Sequence, residues 1–473
     1  DVGGAQPRGL AGVVARGAAA VESAALPERG VVASINLPRL DVNAWTAQAG
    51  ALSGAAPPPL ANAKTTGAAS ADAASRSAAE LQAYLPTAFD LRTAELNYQG
   101  RNLTSVVASG SRDGPVWGAT VESAELAGKL EYRQAAGATG ARVMARLSRL
   151  RLTSASASEV ENLLQRQQQQ PVALPALDIV IDDFELRGKK LGRVEIDAVN
   201  RSANAPGGGR EWRLNKLRLT LPEAEFNATG NWALAPAPVN AAPGVAPTDR
   251  RRTAMTFTLD IADSGELLKR FGMIDVVRRG KGRLEGQIEW SGSPLELDVP
   301  SLRGQFNVNV ESGQFVKADP GIGKLLGVLS LQALPRRLTL DFRDVFSEGF
   351  AFDFVRGDVT IARGSAQTNN LQMRGVNAAV LMAGSADIAS ETQALRVVVV
   401  PEIDAGTASL IATVINPAIG LGTFLAQLFL RRPLMEAATR EFLIDGTWTD
   451  PKVTPVERRP RSAQGAGETK PER

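Results

Sequence analysis

The sequence predicts a mainly β protein: an elongated, curled antiparallel sheet that forms an open apolar groove, with short helices and a helical segment near the C-terminus. Three observations carry that expectation. Val, Leu and Ile alternate with polar residues over many short runs broken by turn residues, the period of two that a strand with one buried face requires. Aromatics are 5% of the 473 residues while Gly occurs 45 times, a composition suited to many strands and turns. Three fragments share an ending, ATGNW at Trp232, EGQIEW at Trp290 and DGTW at Trp448, each followed by a turn. Weak repetition of this kind builds a sheet by adding edge to edge, and strand twist curls it.

Residues 1–81 are dominated by Ala, Gly, Ser and Pro, and APPPLANAKTTGAASADAASRSAAE can bury little apolar surface. This part is expected to be largely disordered. Its one strand-like stretch is VVASINLPRLDVNAW (Val31–Trp45), whose sheet neighbours are expected upstream of the chain. Residues 82–170 read as a meander, with GSRDG as turn chemistry between two alternating runs. The meander ends in a short helix, SASEVENLLQRQQQQ, capped by Ser156 or Ser158 with Glu161 near N3, and a Gln-rich linker.

Residues 171–403 form a second β block. Asp182 and Asp183 are adjacent, so on a strand they face opposite ways and cannot serve as paired catalytic carboxylates without a bulge. APGGGREW (Ala205–Trp212) lacks both the Lys-Ser/Thr of a phosphate loop and a following helix, and is a connection between strands. DSGELLKRFGMIDVVRRGKG (Asp263–Gly282) adds one short helix. The cluster Arg278, Arg279, Lys281 and Arg283 has two readings, a solvated turn or a contact with phosphate headgroups.

Between Asp319 and Gly364 the pattern changes twice. Ile322, Leu325, Leu326, Leu329 and Leu331 recur at helical spacing behind Asp319 as N-cap and Pro320 at the first helical position, and Pro335 ends the helix. The period then drops to two: Leu338, Leu340 and Phe342 point one way, Phe350, Phe352 and Phe354 repeat the alternation, and Val359 and Ile361 repeat it again. Val380, Met382 and Gly384 alternate likewise. The run LRVVVV (Leu395–Val400) is apolar on nearly both faces and needs cover on both sides.

Residues 404–441 hold a run of about 26 residues without a charge, long enough to span a bilayer as one helix. Asn416-Pro417, Gly420 and Gly422 favour a break into two helices, Ala408–Asn416 and Ile419–Arg431. They can pack on the sheet as core or insert partway into a membrane with Arg431 and Arg432 at the headgroups. Residues 442–456 give a final strand, and 457–473 a solvated, disordered tail.

The chain contains no Cys and no His, so thiol nucleophiles, disulfides, imidazole bases and most transition-metal sites are excluded. No convergent acid–base constellation is visible, and neither an enzyme nor a metal or other cofactor is expected. A formal charge of only +3 gives no concentrated basic face, and nucleic acid is not an expected partner. A long sheet with one apolar row per strand exposes more apolar surface than a soluble protein leaves bare. An acyl chain fills such a trough: at roughly 0.8 kcal/mol per CH2, about sixteen carbons gain on the order of 12 kcal/mol over water, close to their gain in a bilayer.

The run GKLLGVLSLQALPRRLTLDFRDVF, followed by GFAFDFVRGD, resembles the C-terminal part of the YhdP branch of the AsmA-like family. ALDIVIDDFELRGKKLGRVEI, LPEAEFNATGNW, DSGELLKRFG, GRLEGQIEWSGSP and DGTWTDP are similar to that branch too, so the resemblance covers Pro171–Glu457 well and the preceding part loosely. It implies a lipid-transfer conduit that carries phospholipid between the inner and outer membranes. It also implies a longer protein, of which this chain is a fragment, anchored through an N-terminal inner-membrane helix, spanning the periplasm and placing C-terminal helices at the outer-membrane surface. Leu338, Leu340, Phe342, Phe350, Phe352, Phe354, Val359, Ile361, Val380, Met382, Val397 and Val399 are then expected to line the groove. Leu421, Phe424, Leu425, Leu428, Phe429, Arg431 and Arg432 are expected at the membrane. The bland reading of the first set is ordinary sheet core, and a charge at Phe352 or Leu340 separates the two: it blocks a conduit but unfolds a core. The rival function is a non-enzymatic scaffold or outer-membrane assembly factor that binds an envelope protein.

Overall fold

A computed structural model of the chain describes residues 11–16, 27–28, 30–42, 86–98, 101–135, 140–153, 174–202, 210–234, 251–294, 297–316, 350–375, 378–401, 418, 420–431 and 439–456. The helices expected at 154–170, 320–334 and 408–416, the Gln-rich linker and the tail lie outside these residues. What is described is overwhelmingly β, twenty strands assigned to one sheet. The chain divides into two compact units, residues 1–258 with 290–297 and residues 259–289 with 298–473.

In the first unit β1 (Ala11–Arg16), β2 (Gly30–Asp41) and β3 (Ala88–Tyr98) are joined by parallel ladders. The neighbours of β2 are thus within the chain rather than upstream of it. An antiparallel run follows through β4 (Arg101–Asp113), β5 (Val116–Glu122), β6 (Leu126–Arg133) and β7 (Arg142–Leu152). The turn expected at GSRDG is shorter than the pattern suggested, because β4 continues to Asp113 and only Gly114 and Pro115 connect it to β5. A third parallel ladder joins β7 to β8 (Ala176–Leu186), after which β9 (Lys189–Ser202), β10 (Arg210–Thr220) and β11 (Ala224–Leu234) are antiparallel; β12 is Arg251–Ile261.

The expectation of a wholly antiparallel sheet therefore needs correcting at three ladders. Parallel neighbours require a connection of a dozen residues or more, and residues 17–29, 42–87 and 153–175 intervene at these places. The low-complexity stretches fall where the topology needs long connections. Leu147 and Ile181, on either side of the boundary expected at residue 170, are Cα partners in one ladder and belong to one buried cluster with Ala145 and Val194.

In the second unit α1 (Ser264–Arg270) is capped by Asp263, whose carboxylate accepts from the Gly265 and Glu266 backbone amides. Strands β13 (Val277–Ser291), β14 (Arg303–Phe315), β15 (Phe350–Ala362), β16 (Ser365–Gly375), β17 (Ala378–Asp387), β18 (Thr392–Pro401), β19 (Arg440–Gly446) and β20 (Pro451–Pro455) follow. Each pairs antiparallel with the next. The single final strand expected over 442–456 is two strands. Tight hairpins explain the regularity: Arg363-Gly364 joins β15 to β16 with φ +51° and +73°, the mirror-image turn whose twist matches the strands it connects.

Helix α2 (Gly420–Arg431) lies on one face of β16 and β17. Among the described residues no helix is long and apolar enough to cross a membrane.

Candidate functional site

The register of the second unit sorts its side chains into two faces. Across β13 and β14, Leu284 stands opposite Val308, Gly286 opposite Phe306 and Ile288 opposite Gly304. Phe306 and Gly304 in turn face Val359 and Ile361 of β15. Further along, Val355 faces Met373, Met373 faces Val380, Val380 faces Val399, and Val397 faces Phe442. One continuous apolar face results. The opposite face of β13, β14 and β15 carries Arg283, Glu285 and Gln287, then Gln305, Asn307 and Asn309, then Arg356, Asp358 and Thr360.

The apolar face is closed at one end and half-open at the other. Phe352 (4% exposed), Met373, Ala378, Val380, Val397, Val399, Phe442 and Ile444 form a single buried cluster, against which Val277, Val310, Phe315, Val355 and Met382 pack. The Phe352 ring lies 5.2 Å from that of Phe315 and covers Gly313, where an added Cβ would come within 2.3 Å of it. Toward the other end Leu284, Ile288, Phe306, Val308 and Val359 are only half-buried, while Ile361 is 9% exposed. Each of the half-buried residues has an exposed polar neighbour in sequence, among them Glu285, Gln287, Gln305, Asn309 and Thr360, so half-burial here marks an apolar surface that solvent still reaches.

Several expected groove residues share this face. Phe352, Val359, Ile361, Val380, Met382, Val397 and Val399 lie on it, and Phe350 stands opposite Phe315 in register. Phe354 does not, which corrects the simple alternation. A bulge between Phe352 and Phe354 in the β15–β16 ladder shifts the parity, so Phe352 and Val355 share a face and Phe354 turns to the other. There the Arg356 guanidinium lies over its ring, 4.0 Å from the centroid. The same bulge explains how even-numbered Phe352 and odd-numbered Val359 and Ile361 end on one side. Leu338, Leu340 and Phe342 lie outside the described residues. Leu284, Ile288, Phe306 and Val308 were not singled out from the sequence, although GRLEGQIEW and GQFNVNV carry the alternation that could have found them.

The double-sided cover expected for LRVVVV is present. Val397 and Val399 enter the cluster just described, while Val398 and Val400 join Ala379, Leu381, Leu421, Leu425 and Leu428 in a second one on the opposite face. Of the residues expected at a membrane, Leu421, Leu425 and Leu428 are therefore engaged by the sheet, with Phe424 and Phe429 partly buried beside them. The helix turns its apolar stripe inward because β17 and β18 present an apolar face that otherwise meets water. The large apolar side chain it leaves outside is Leu430, 83% exposed. Arg432 and the side chain of Arg431 lie outside the described residues.

The first unit repeats the sorting of faces. Ile179 faces Ile196 and Ile181 faces Val194 on the apolar side, and Leu217 and Leu219 continue it. The other side is crossed by ion pairs: Arg146 with Asp178 at 2.7 Å, Arg193 with Asp182, Arg193 with Glu195 at 3.0 Å, Lys216 with Glu195, and Arg218 with Glu225 at 2.6 Å. Asp182 is thus engaged by Arg193 on this charged side. In the second unit Arg283 of the basic cluster is paired with Asp260 at 2.6 Å, while Arg278, Arg279 and Lys281 are exposed.

Hydrogen bonds from Lys216 and then Arg193 hold the Glu195 carboxyl at about 2, against an ordinary 4.5. Because the folded value is the lower one, this contribution to stability is complete above pH 4.5 and disappears as pH falls toward 2. The denaturation midpoint of Glu195→Gln should lie modestly below that of the unsubstituted chain at pH 7, and the gap should close by pH 2. A gap that persists at pH 2 would assign the effect to packing.

An open sheet that sets an apolar face against a largely polar one, with α2 covering the apolar part of the second at β17 and β18, is the architecture of a β-groove protein. The chain belongs to the YhdP protein family, whose family model matches residues 5–453. It is similar to the intermembrane phospholipid transporter YhdP of Escherichia coli (strain K12), 31% identical over 192 residues. That match takes in 40% of this chain and 15% of the relative's length. No solved structure matches.

Proposed function

We propose that this chain is part of a conduit carrying phospholipid between the inner and outer membranes, with acyl chains lying on the apolar face of each unit. The observation that carries the reading is the half-open surface of Leu284, Ile288, Phe306, Val308 and Val359, apolar residues that a closed core would bury. A relative named for intermembrane phospholipid transport supports the cargo. Within this reading Val359 contacts lipid alongside the newly found residues, Ile361 is buried beside it, and Phe352, Val380, Met382, Val397 and Val399 form the closed end of the face. The full-length protein spans the periplasm, anchored in the inner membrane through a region outside this chain. Its C-terminal end faces the outer membrane, which the exposed Leu430 approaches.

Photocrosslinking in an envelope preparation tests this directly. A photoreactive residue at Val308 or Leu284 should capture phospholipid, and the same residue at Asn309, on the polar face, should not. Purified chain should retain phospholipid by native mass spectrometry and lose most of it in the double variant Leu284→Asp, Val308→Asp. A protein adduct from Val308 with no lipid adduct would replace the conduit by the scaffold.

A further inference from the structure

Four strands of the first unit meet at one rim of its apolar face: β9 ends at Ser202, β10 begins at Arg210, β11 ends at Leu234 and β12 begins at Arg251. Trp212 and Trp232 stand opposite one another there, on the face shared by Ala198, Leu214 and Met255. Two neighbouring indoles are satisfied. Trp212 donates its Nε1–H to the Pro175 carbonyl at 2.9 Å, and Trp290 donates to the Ser293 carbonyl at 2.9 Å. The indole N–H of Trp232 is buried and, among the described residues, has no acceptor.

A second donor sits beside it. The Arg251 guanidinium lies 4.3 Å from the centroid of the Trp232 ring, and among the described residues no carboxylate pairs with it. Burial holds the Arg251 pKa below its ordinary value, as for a cation partly withdrawn from solvent. The comparable pair at Arg112 and Trp117, 5.5 Å apart, differs because the Arg112 Nε donates to the Pro86 carbonyl. A half-buried guanidinium next to an unpaired N–H, at the edge of an apolar surface, is the donor half of an anion site. A phosphodiester supplies the charge for one and an oxygen for the other. Its acyl chains would use the face beneath, and moving the long Arg251 side chain off the ring opens the indole N–H to it.

We propose that Arg251 and Trp232 form a phosphate-headgroup site at the rim of the first unit's apolar face, holding the phosphodiester of a phospholipid whose tails lie along Ala198, Leu214 and Met255. The assignment rests on the lipid-carrying reading above. It adds a fixed stop for the headgroup to a face that otherwise grips only tails.

The test mixes the purified chain with dioleoylphosphatidylglycerol, with dioleoylglycerol, which lacks phosphate, or with sodium phosphate, and reads retained ligand by native mass spectrometry and Trp fluorescence. Arg251→Gln should lower phosphatidylglycerol retention about tenfold and Trp232→Phe about fivefold, the loss expected for a charge-assisted and a neutral hydrogen bond. Dioleoylglycerol retention should not change, Arg112→Gln should bind as the unsubstituted chain does, and Arg251→Lys should recover part of the loss. Equal loss of both lipids, or undiminished phosphatidylglycerol in both variants, overturns the site. Saturation by sodium phosphate at the same concentration as by lipid overturns the lipid headgroup as its source. Retention that survives Arg251→Gln but is lost in Leu284→Asp, Val308→Asp overturns the site alone, whereas an unsubstituted chain that retains neither lipid overturns the transport reading with it.

Discussion

Phe352→Asp should unfold the second unit, while Val308→Asp leaves it folded. The two positions lie on the same face, but Phe352 is 4% exposed inside an eight-residue buried cluster and Val308 is half-open to solvent. Deleting a buried Phe side chain costs about 3–5 kcal/mol, and the carboxylate that replaces it adds several more unless it takes up a proton. Domain stabilities are roughly 5–15 kcal/mol, so the sum is enough to unfold a unit. At Val308 the loss is a partly solvated methyl pair, about 1 kcal/mol. Urea titrations followed by circular dichroism measure both. A Phe352→Asp chain with a native midpoint would mean that this end of the face is accessible after all. The structure thereby changes how a charge at Phe352 must be interpreted: it reports on folding, and only substitutions at the half-open residues report on lipid.

Leu425→Asp should release α2 from the sheet. Helices of this length are marginal in water, and their stability comes from the face they pack; α2 has 12 residues, and Leu425 is 3% exposed between Leu421, Leu428 and the β17–β18 surface. Losing a buried Leu and placing a carboxylate there costs about 3–5 kcal/mol, more than the helix's own hydrogen bonds return. Hydrogen exchange over residues 420–431 should accelerate to the rate of an open segment, and Ala379, Leu381, Val398 and Val400 should become an exposed apolar patch. Vesicle flotation would rise if that patch and the freed stripe of α2 enter lipid. Unchanged protection of 420–431 would mean that other contacts hold the helix.

Much of this architecture is legible in single residues of the sequence, and the parts that are not share a cause. Alternation located the strands of the second block, and the all-apolar run Leu395–Val400 announced cover on both faces, because both signals are local. Ladder direction is not local: nothing within VVASINLPRLD distinguishes a strand flanked by parallel neighbours from one in a meander. The bulge at Asp353 is equally silent in the pattern, and it moved Phe354 to the outer face while leaving Phe352 and Val359 together. The spacing of Leu421, Leu425 and Leu428 gave an amphipathic helix, but spacing cannot say whether sheet or membrane receives its stripe. In the sequence Trp232 is part of a repeated ending; its unmet N–H is visible only beside its satisfied neighbours.

Within each unit, every ladder described joins strands that are consecutive along the chain, which bears on how the protein is made. Pairing of that kind brings together strands that follow one another in sequence, so each new strand has only one connection to close. A chain emerging from its N-terminus can therefore grow strand by strand, each newcomer zipping onto an edge that is already waiting. The longest steps between paired strands cross residues 42–87, 316–349 and 402–439, where the next strand must return to its edge over more than thirty residues. Those closures are where assembly would pause, and where a chaperone would find the longest-lived open edge.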